Sequence, residues 1–131
     1  MALEIVAPII MGVIAGIIDI GFMVKDLSGD AKSTIGHGVG AMTYLIAFSF
    51  IAFNIELATN SGYLPKFFQN QIAVLIILAL ITAAVVHAKS AVFAKSRGPG
   101  THETWIHSII LVILVATSPF IWPLIKGYLP F

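Results

Sequence analysis

The sequence contains no cysteine and few charged residues, and both shortages exclude classes of protein. A chain without cysteine forms no disulfide, no thiolate metal site and no thiol nucleophile. Only 10% of its residues are charged and the formal net charge is +1, so the composition does not favour nucleic acid as a partner. The sequence also lacks a P-loop, a dinucleotide fingerprint and a serine-nucleophile motif. We therefore expect neither nucleic-acid binding nor a catalytic site in this chain alone.

Apolar residues are abundant instead. They make up 59% of the 131 residues, and the mean hydropathy is +1.02, which a water-soluble domain of this length could not bury in one core. Because a membrane span needs about 20 apolar residues, the sequence predicts an all-α integral membrane protein. Its four transmembrane helices are predicted to form an up-down antiparallel bundle with short loops, in a single domain of residues 1–131. The predicted spans are about residues 5–24, 35–54, 71–92 and 103–122, followed by an apolar tail at 123–131.

The distribution of basic residues predicts the orientation of these spans. The loops at 25–34 and 89–101 hold five of the seven basic residues: Lys25, Lys32, Lys89, Lys95 and Arg97. The other side has only Lys66 and Lys126. Because short cytoplasmic loops carry an excess of Lys and Arg, we expect both loops to be cytoplasmic. A multi-pass protein of the cell membrane with two extracytoplasmic termini follows.

Small residues and helix-ending signals indicate how the spans pack and where they end. Four glycines are predicted to let helices approach closely, namely Gly12, Gly16, Gly36 and Gly40. Gly36 and Gly40 continue into Thr43 and Ala47 as a narrow stripe on the second span. For the fourth helix, Thr101 is a plausible N-cap, and Pro119 and Pro123 are predicted to end it.

Polar residues within the predicted spans form one candidate site. If four spans alternate in direction, five residues fall within roughly two helical turns of one depth: Asp19, His37, His87, Glu103 and His107. Asp19 lies within about 20° of Gly12 on the first helix, so this carboxylate is expected to face protein. Glu103 and His107 are four residues apart, which would let the carboxylate orient the imidazole.

Three functional interpretations of this cluster compete with a plainer one. Two imidazoles, His37 with His87 or His87 with His107, would be axial ligands of a haem. Alternatively, Asp19 with the same three histidines supplies donors for copper, zinc or iron. A proton or ion relay is the third interpretation, because an intramembrane carboxylate is costly and needs a partner. In the plainer view the histidines are interface anchors and Asp19 ties the first helix to a neighbour. The sequence requires no cofactor.

No motif places the chain in a family. In size and hydropathy it resembles small hydrophobic accessory subunits of respiratory or monooxygenase complexes, a likeness that carries no residue-level information. That resemblance implies a non-catalytic subunit that packs against other membrane proteins, in an oxidoreductase complex among others. The first alternative is a homo-oligomeric channel or carrier for protons or cations that uses Asp19 and the histidines. The second is an electron-transfer subunit that binds haem or a metal.

Overall fold

The computed structural model describes residues 3–26, 31–63, 65–96 and 105–129, and within these ranges the chain is helical with no β-strand. Five α-helices follow in order: α1 (Val6–Asp26), α2 (Ala31–Phe53), α3 (Ile55–Thr59), α4 (Gln71–Ser96) and α5 (Trp105–Ile125). Two short 3-10 turns, Lys66–Gln69 and Lys126–Tyr128, accompany them. The all-helical class expected from the composition is therefore confirmed for the described residues.

Three helices are long and apolar enough to cross a membrane, judged by length and composition. They are the stretches Val6–Val24, Gln71–Lys89 and Trp105–Tyr128. The helix α2 contains a shorter apolar stretch, Gly38–Phe53, although its full length is 23 residues. The predicted span at 35–54 begins three residues before this stretch, at Ile35.

The helices α1 and α2 run antiparallel along their whole shared length. Equal steps forward along α1 correspond to equal steps backward along α2, as four contacts show: Glu4 with Asn54, Gly12 with Ile46, Gly16 with Met42, and Ile20 with Gly38. Glycines make this approach possible, because a Cβ at Gly12 would overlap the Ile46 backbone and one at Gly38 would overlap the Ile20 side chain. In lipid, helices gain most of their association from such close packing.

The Asn54 side chain closes the end of this hairpin. Its Oδ1 accepts the Glu4 backbone N–H at 2.8 Å, and its Nδ2 donates to the Glu4 carbonyl at 2.9 Å. The same Nδ2 donates to the Phe50 carbonyl, also at 2.9 Å. One amide thus satisfies both backbone groups of Glu4 and gives the Phe50 carbonyl a second hydrogen bond, beside the one from the Asn54 backbone N–H at 3.2 Å.

The prediction that prolines end the last helix is wrong, because α5 continues through Pro119 and Pro123 to Ile125. A proline at 119 supplies no N–H for the carbonyl four residues earlier, that of Val115. The hydroxyl of Ser118 donates to this carbonyl instead, at 2.7 Å. Neighbouring polar side chains of this kind allow proline within membrane helices.

The helix α4 begins at a side-chain cap and runs further than predicted. Asn70 Oδ1 accepts the backbone N–H groups of Ile72 and Ala73, at 3.0 and 3.2 Å, which is the pattern of an N-cap. The described part of the helix reaches Ser96 and so passes residue 92, consistent with the absence of Gly and Pro before Gly98. The proposed cap at Thr101 lies outside the described residues.

The core lies where the four long helices meet. It consists of Ala15, Leu45, Val86, Leu111 and Val115, which are nearly or completely buried. Burial is uneven between helices: 44% of the apolar stretch of α1 is buried inside the chain, against 17% for α4 and 22% for that of α5. Among the three candidate spans α1 is therefore the most buried, and α4 and α5 leave most of their apolar surface facing outward.

Replacing Gly12 with alanine should weaken the α1–α2 contact, because the added Cβ overlaps the Ile46 backbone. We expect Gly12→Ala to lower the free energy of unfolding by about 1–3 kcal/mol, measured by steric trapping in detergent micelles. Gly21→Ala on the same helix is the matched control. No atom of the described residues lies within 4 Å of a Cβ at Gly21, so alanine at that position should stabilise the chain by up to about 1 kcal/mol. Equal effects at both glycines would contradict the packing argument.

Candidate functional site

A buried carboxylate–imidazole pair joins α1 to α5. His107 Nε2 lies 2.6 Å from Asp19 Oδ1, and each residue is only 1% exposed. Asp19 comes from the inner face of α1, where it follows Ala15 by one helical turn, and His107 comes from the first turns of α5. Such a pair costs desolvation free energy that good geometry and further contacts must offset.

The short distance requires a proton between the two atoms. A carboxylate oxygen and an unprotonated ring nitrogen would repel each other through their lone pairs, whereas N–H···O⁻ bonds of charged groups are typically 2.7–2.9 Å long. The pair at 2.6 Å is thus a short hydrogen bond between two buried side chains. His107 is 88 residues away from Asp19 in sequence, so the bond fixes how α5 docks on α1.

An aromatic ring packs on this pair, and a lysine lines a cavity beside it. The ring of Phe22, one turn after Asp19 on α1, packs on the His107 imidazole with centroids 5.0 Å apart. A small cavity of about 10 Å³ lies beside Asp19 and is bordered by Tyr44 and Lys89, among others. The Lys89 ammonium sits 3.9 Å from the centre of the Tyr44 ring, a cation–π contact between α4 and α2.

The described parts of the predicted cluster separate into two contacts. Asp19 and His107 meet, whereas the His87 ring stacks on Trp105, with centroids 3.7 Å apart and planes 13° apart. The backbone of His37 lies in α2, but its side chain is outside the described set, as is all of Glu103. The suggested Glu103–His107 interaction therefore falls outside the described residues.

The four glycines selected for packing occupy different surroundings. Gly12 and Gly16 lie against Ile46 and Met42 of α2, so both are at a helix contact. Among the described atoms, none lies within 4 Å of a Cβ at Gly36, and Lys89 Nζ at 4.0 Å is the one near a Cβ at Gly40. Both therefore face away from the α1–α2 contact.

Metal and haem ligation find limited support in this geometry. Among the described residues, no three His, Asp or Glu side chains lie close enough together to hold a metal ion. The Nε2 atom of His107 faces Asp19, so an iron bound at that nitrogen would have to displace the carboxylate. The arrangement instead suits a hydrogen bond in which an imidazole N–H donates to a carboxylate oxygen.

Sequence reasoning missed Lys89 and Tyr44 as neighbours of the pair. Lys89 falls within both the predicted span at 71–92 and the predicted loop at 89–101; the structure places it in α4, and its ammonium reaches α2. The available signal was the continuous run of good helix formers after His87, which extends the helix past Lys89. Gly38, which packs on Ile20, was missed for a different reason, because its contact depends on the register between two helices.

Comparison of the chain with protein-family models, curated proteins and solved structures finds no match. No relative or structural neighbour therefore identifies a function.

Replacing one member of the pair should lower the free energy of unfolding more than replacing both members. Asp19→Val leaves a buried imidazole and His107→Leu leaves a buried carboxylate, so we expect each to destabilise by about 3 kcal/mol. The double variant removes both polar groups and should be distinctly more stable than the sum of the two losses predicts. Unfolding free energies in micelles for the four proteins of this double-mutant cycle test the prediction. Additive losses would show that the two side chains do not interact.

Proposed function

We propose that the chain crosses the membrane four times in an up-down arrangement and serves as a small integral subunit of a larger membrane protein complex. In this arrangement both termini are extracytoplasmic, and the connections at 25–34 and 89–101 are cytoplasmic in the cell membrane. The basic residues support this orientation, and the contacts support the alternation. Asp19 contacts His107 at one level of the bundle, while Phe53 contacts Trp122 edge-on at another, 6.4 Å between centroids.

The fourth span in this proposal is α2. Its 23 residues correspond to about 35 Å at 1.5 Å per residue, which exceeds the hydrocarbon thickness of about 30 Å. The polar residues of its first turn, Lys32 included, would then lie at the cytoplasmic boundary, where long basic side chains reach toward water. Antiparallel pairing with α1, itself a candidate span, supports the same placement.

The observation that carries the subunit proposal is an uncovered stripe of small residues on α2. The stripe consists of Gly36, Gly40, Thr43 and Ala47. Gly36, Thr43 and Ala47 are exposed, and Gly40 is partly buried. Small residues at four-residue spacing let two membrane helices approach closely, yet they offer little contact to lipid chains. Within the described chain no helix occupies this stripe, so a helix of another subunit fits it.

A large side chain on this stripe should disrupt the complex and leave the fold of the chain intact. We expect Gly36→Leu to reduce co-purification of partner subunits from native membranes by at least about tenfold, a loss on the order of 1.4 kcal/mol in association free energy. Gly21→Leu is the matched control, because both glycines are exposed helix positions with no atom within 4 Å of an added Cβ. Equal co-purification of the two variants would refute a partner on this stripe.

A self-associating carrier or channel for protons is the second candidate, and the Asp19–His107 pair is the observation that favours it. An embedded carboxylate next to a second titratable group is typical of proton pathways. Purified chain in liposomes distinguishes the candidates: transport would produce a proton flux that Asp19→Asn abolishes. The subunit role instead requires fixed partners and produces no flux from the chain alone.

A further inference from the structure

We propose that Asp19 and His107 form a proton-binding site that exchanges its proton with one membrane face, and that Lys89 is the counter-charge of this site. The face is the one at which α1 ends and α5 begins. This assignment goes beyond a role as a subunit, because it gives the pair a ligand, the proton, and a side of access. It differs from transport, since a site open to one face moves no proton across the bilayer.

The position of the pair along its helices favours access from this face. Asp19 lies seven residues before the end of α1 at Asp26, about 10 Å along the helix axis. His107 lies two residues after Trp105, where the described part of α5 begins, about 3 Å along that axis. The opposite ends of both helices are much further from the pair.

The exchange involves one proton and no other change in bonding. In the neutral state a protonated imidazole faces the Asp19 carboxylate. Release of the proton on Nδ1, a buried atom, toward water at this face leaves a neutral imidazole, whose Nε2–H still donates to the carboxylate, and makes the pair anionic. In the reverse step, hydronium at this face gives its proton back to Nδ1 and becomes water. The hydrogen bond that docks α5 on α1 is thus kept in both states.

Lys89 is placed to stabilise the anionic state. Its ammonium is held on the Tyr44 ring, and Lys89 and Asp19 border the same cavity of about 10 Å³. Both residues border this cavity through apolar atoms, because no polar surface faces it, so the surroundings of the two charges offer little polar screening. Coulomb interactions are several times stronger in such surroundings than in water.

The charged and titratable side chains that the structure describes near this site come from all four long helices. Asp19 belongs to α1, Tyr44 to α2, Lys89 to α4 and His107 to α5. His87 is also on α4, where its ring stacks on Trp105. Among these, Lys89 is the group whose charge is opposite to that of the deprotonated pair.

Proton uptake by the purified chain tests the site directly. Between about pH 5 and pH 8, where histidine sites titrate, we expect the wild type to take up one proton per chain more than Asp19→Asn/His107→Gln. A pH-indicator dye in detergent micelles measures the difference, and size-exclusion chromatography checks that the variant is folded. Equal uptake would overturn the proposal. The ¹⁵N signals of His107 in the wild type give a second measurement, and no change of Nδ1 protonation in this range would also overturn it.

Two lysine variants test the counter-charge. Lys89→Met removes the positive charge that favours proton release, so its uptake should begin at a higher pH than in the wild type. Lys66→Met removes an equally charged but exposed lysine from the opposite end and should leave the uptake curve unchanged. Equal curves for both variants would refute the role of Lys89.

Access from one face is tested in vesicles. A one-sided site predicts proton uptake after a pH jump on the membrane face at which α1 ends. The pH on the opposite face should not change. A proton flux would overturn it in favour of transport. None of these outcomes depends on co-purification with partners, so the subunit proposal and the proton site stand or fall separately.

Discussion

Apolar helices gain little from one another when lipid is the alternative solvent, and this constraint governs the whole structure. Water does not drive them together, so close backbone approach and buried polar bonds must hold them. The chain uses both means. Glycines bring α1 and α2 together at Gly12, Gly16 and Gly38, and the Asp19–His107 bond docks α5 on the same helix. Because each device involves α1, this helix is the most buried of the candidate spans.

Composition and periodicity were sufficient to predict the helical class and most of the helix positions. Periodicity also placed Asp19 on the side of α1 that carries Gly12, and the structure buries it there. Which imidazole it meets was not predictable, because two helices at equal depth differ in the rotation about their axes. That rotation depends on packing across several helices, such as the seat of Leu111 and Val115 in the core.

The error at the end of α5 has a more local cause. Proline was treated as a stop signal, which is sound in water, where an interrupted helix exposes its carbonyls to solvent. Within lipid no water is present to hydrogen-bond a freed carbonyl. Continuing the helix therefore costs less free energy than ending it if a side chain replaces the lost hydrogen bond. Ser118 does so for Val115. The sequence Ser-Pro at 118–119 is the feature that indicates this outcome.

The small residues of α2 divide into a set that faces α1 and a set on its exposed side. The small residues that face α1 pack against it in the hairpin, whereas those on the exposed stripe of α2 pack against no helix of the described chain. A second helix on that stripe would pack close to Gly40, whose nearest neighbour is the Lys89 ammonium. Assembly and the proton site would then share one charged group, because a partner that shifts Lys89 changes the field at Asp19. Coupling of this kind is reciprocal, so the charge state of the pair would in turn affect the strength of assembly.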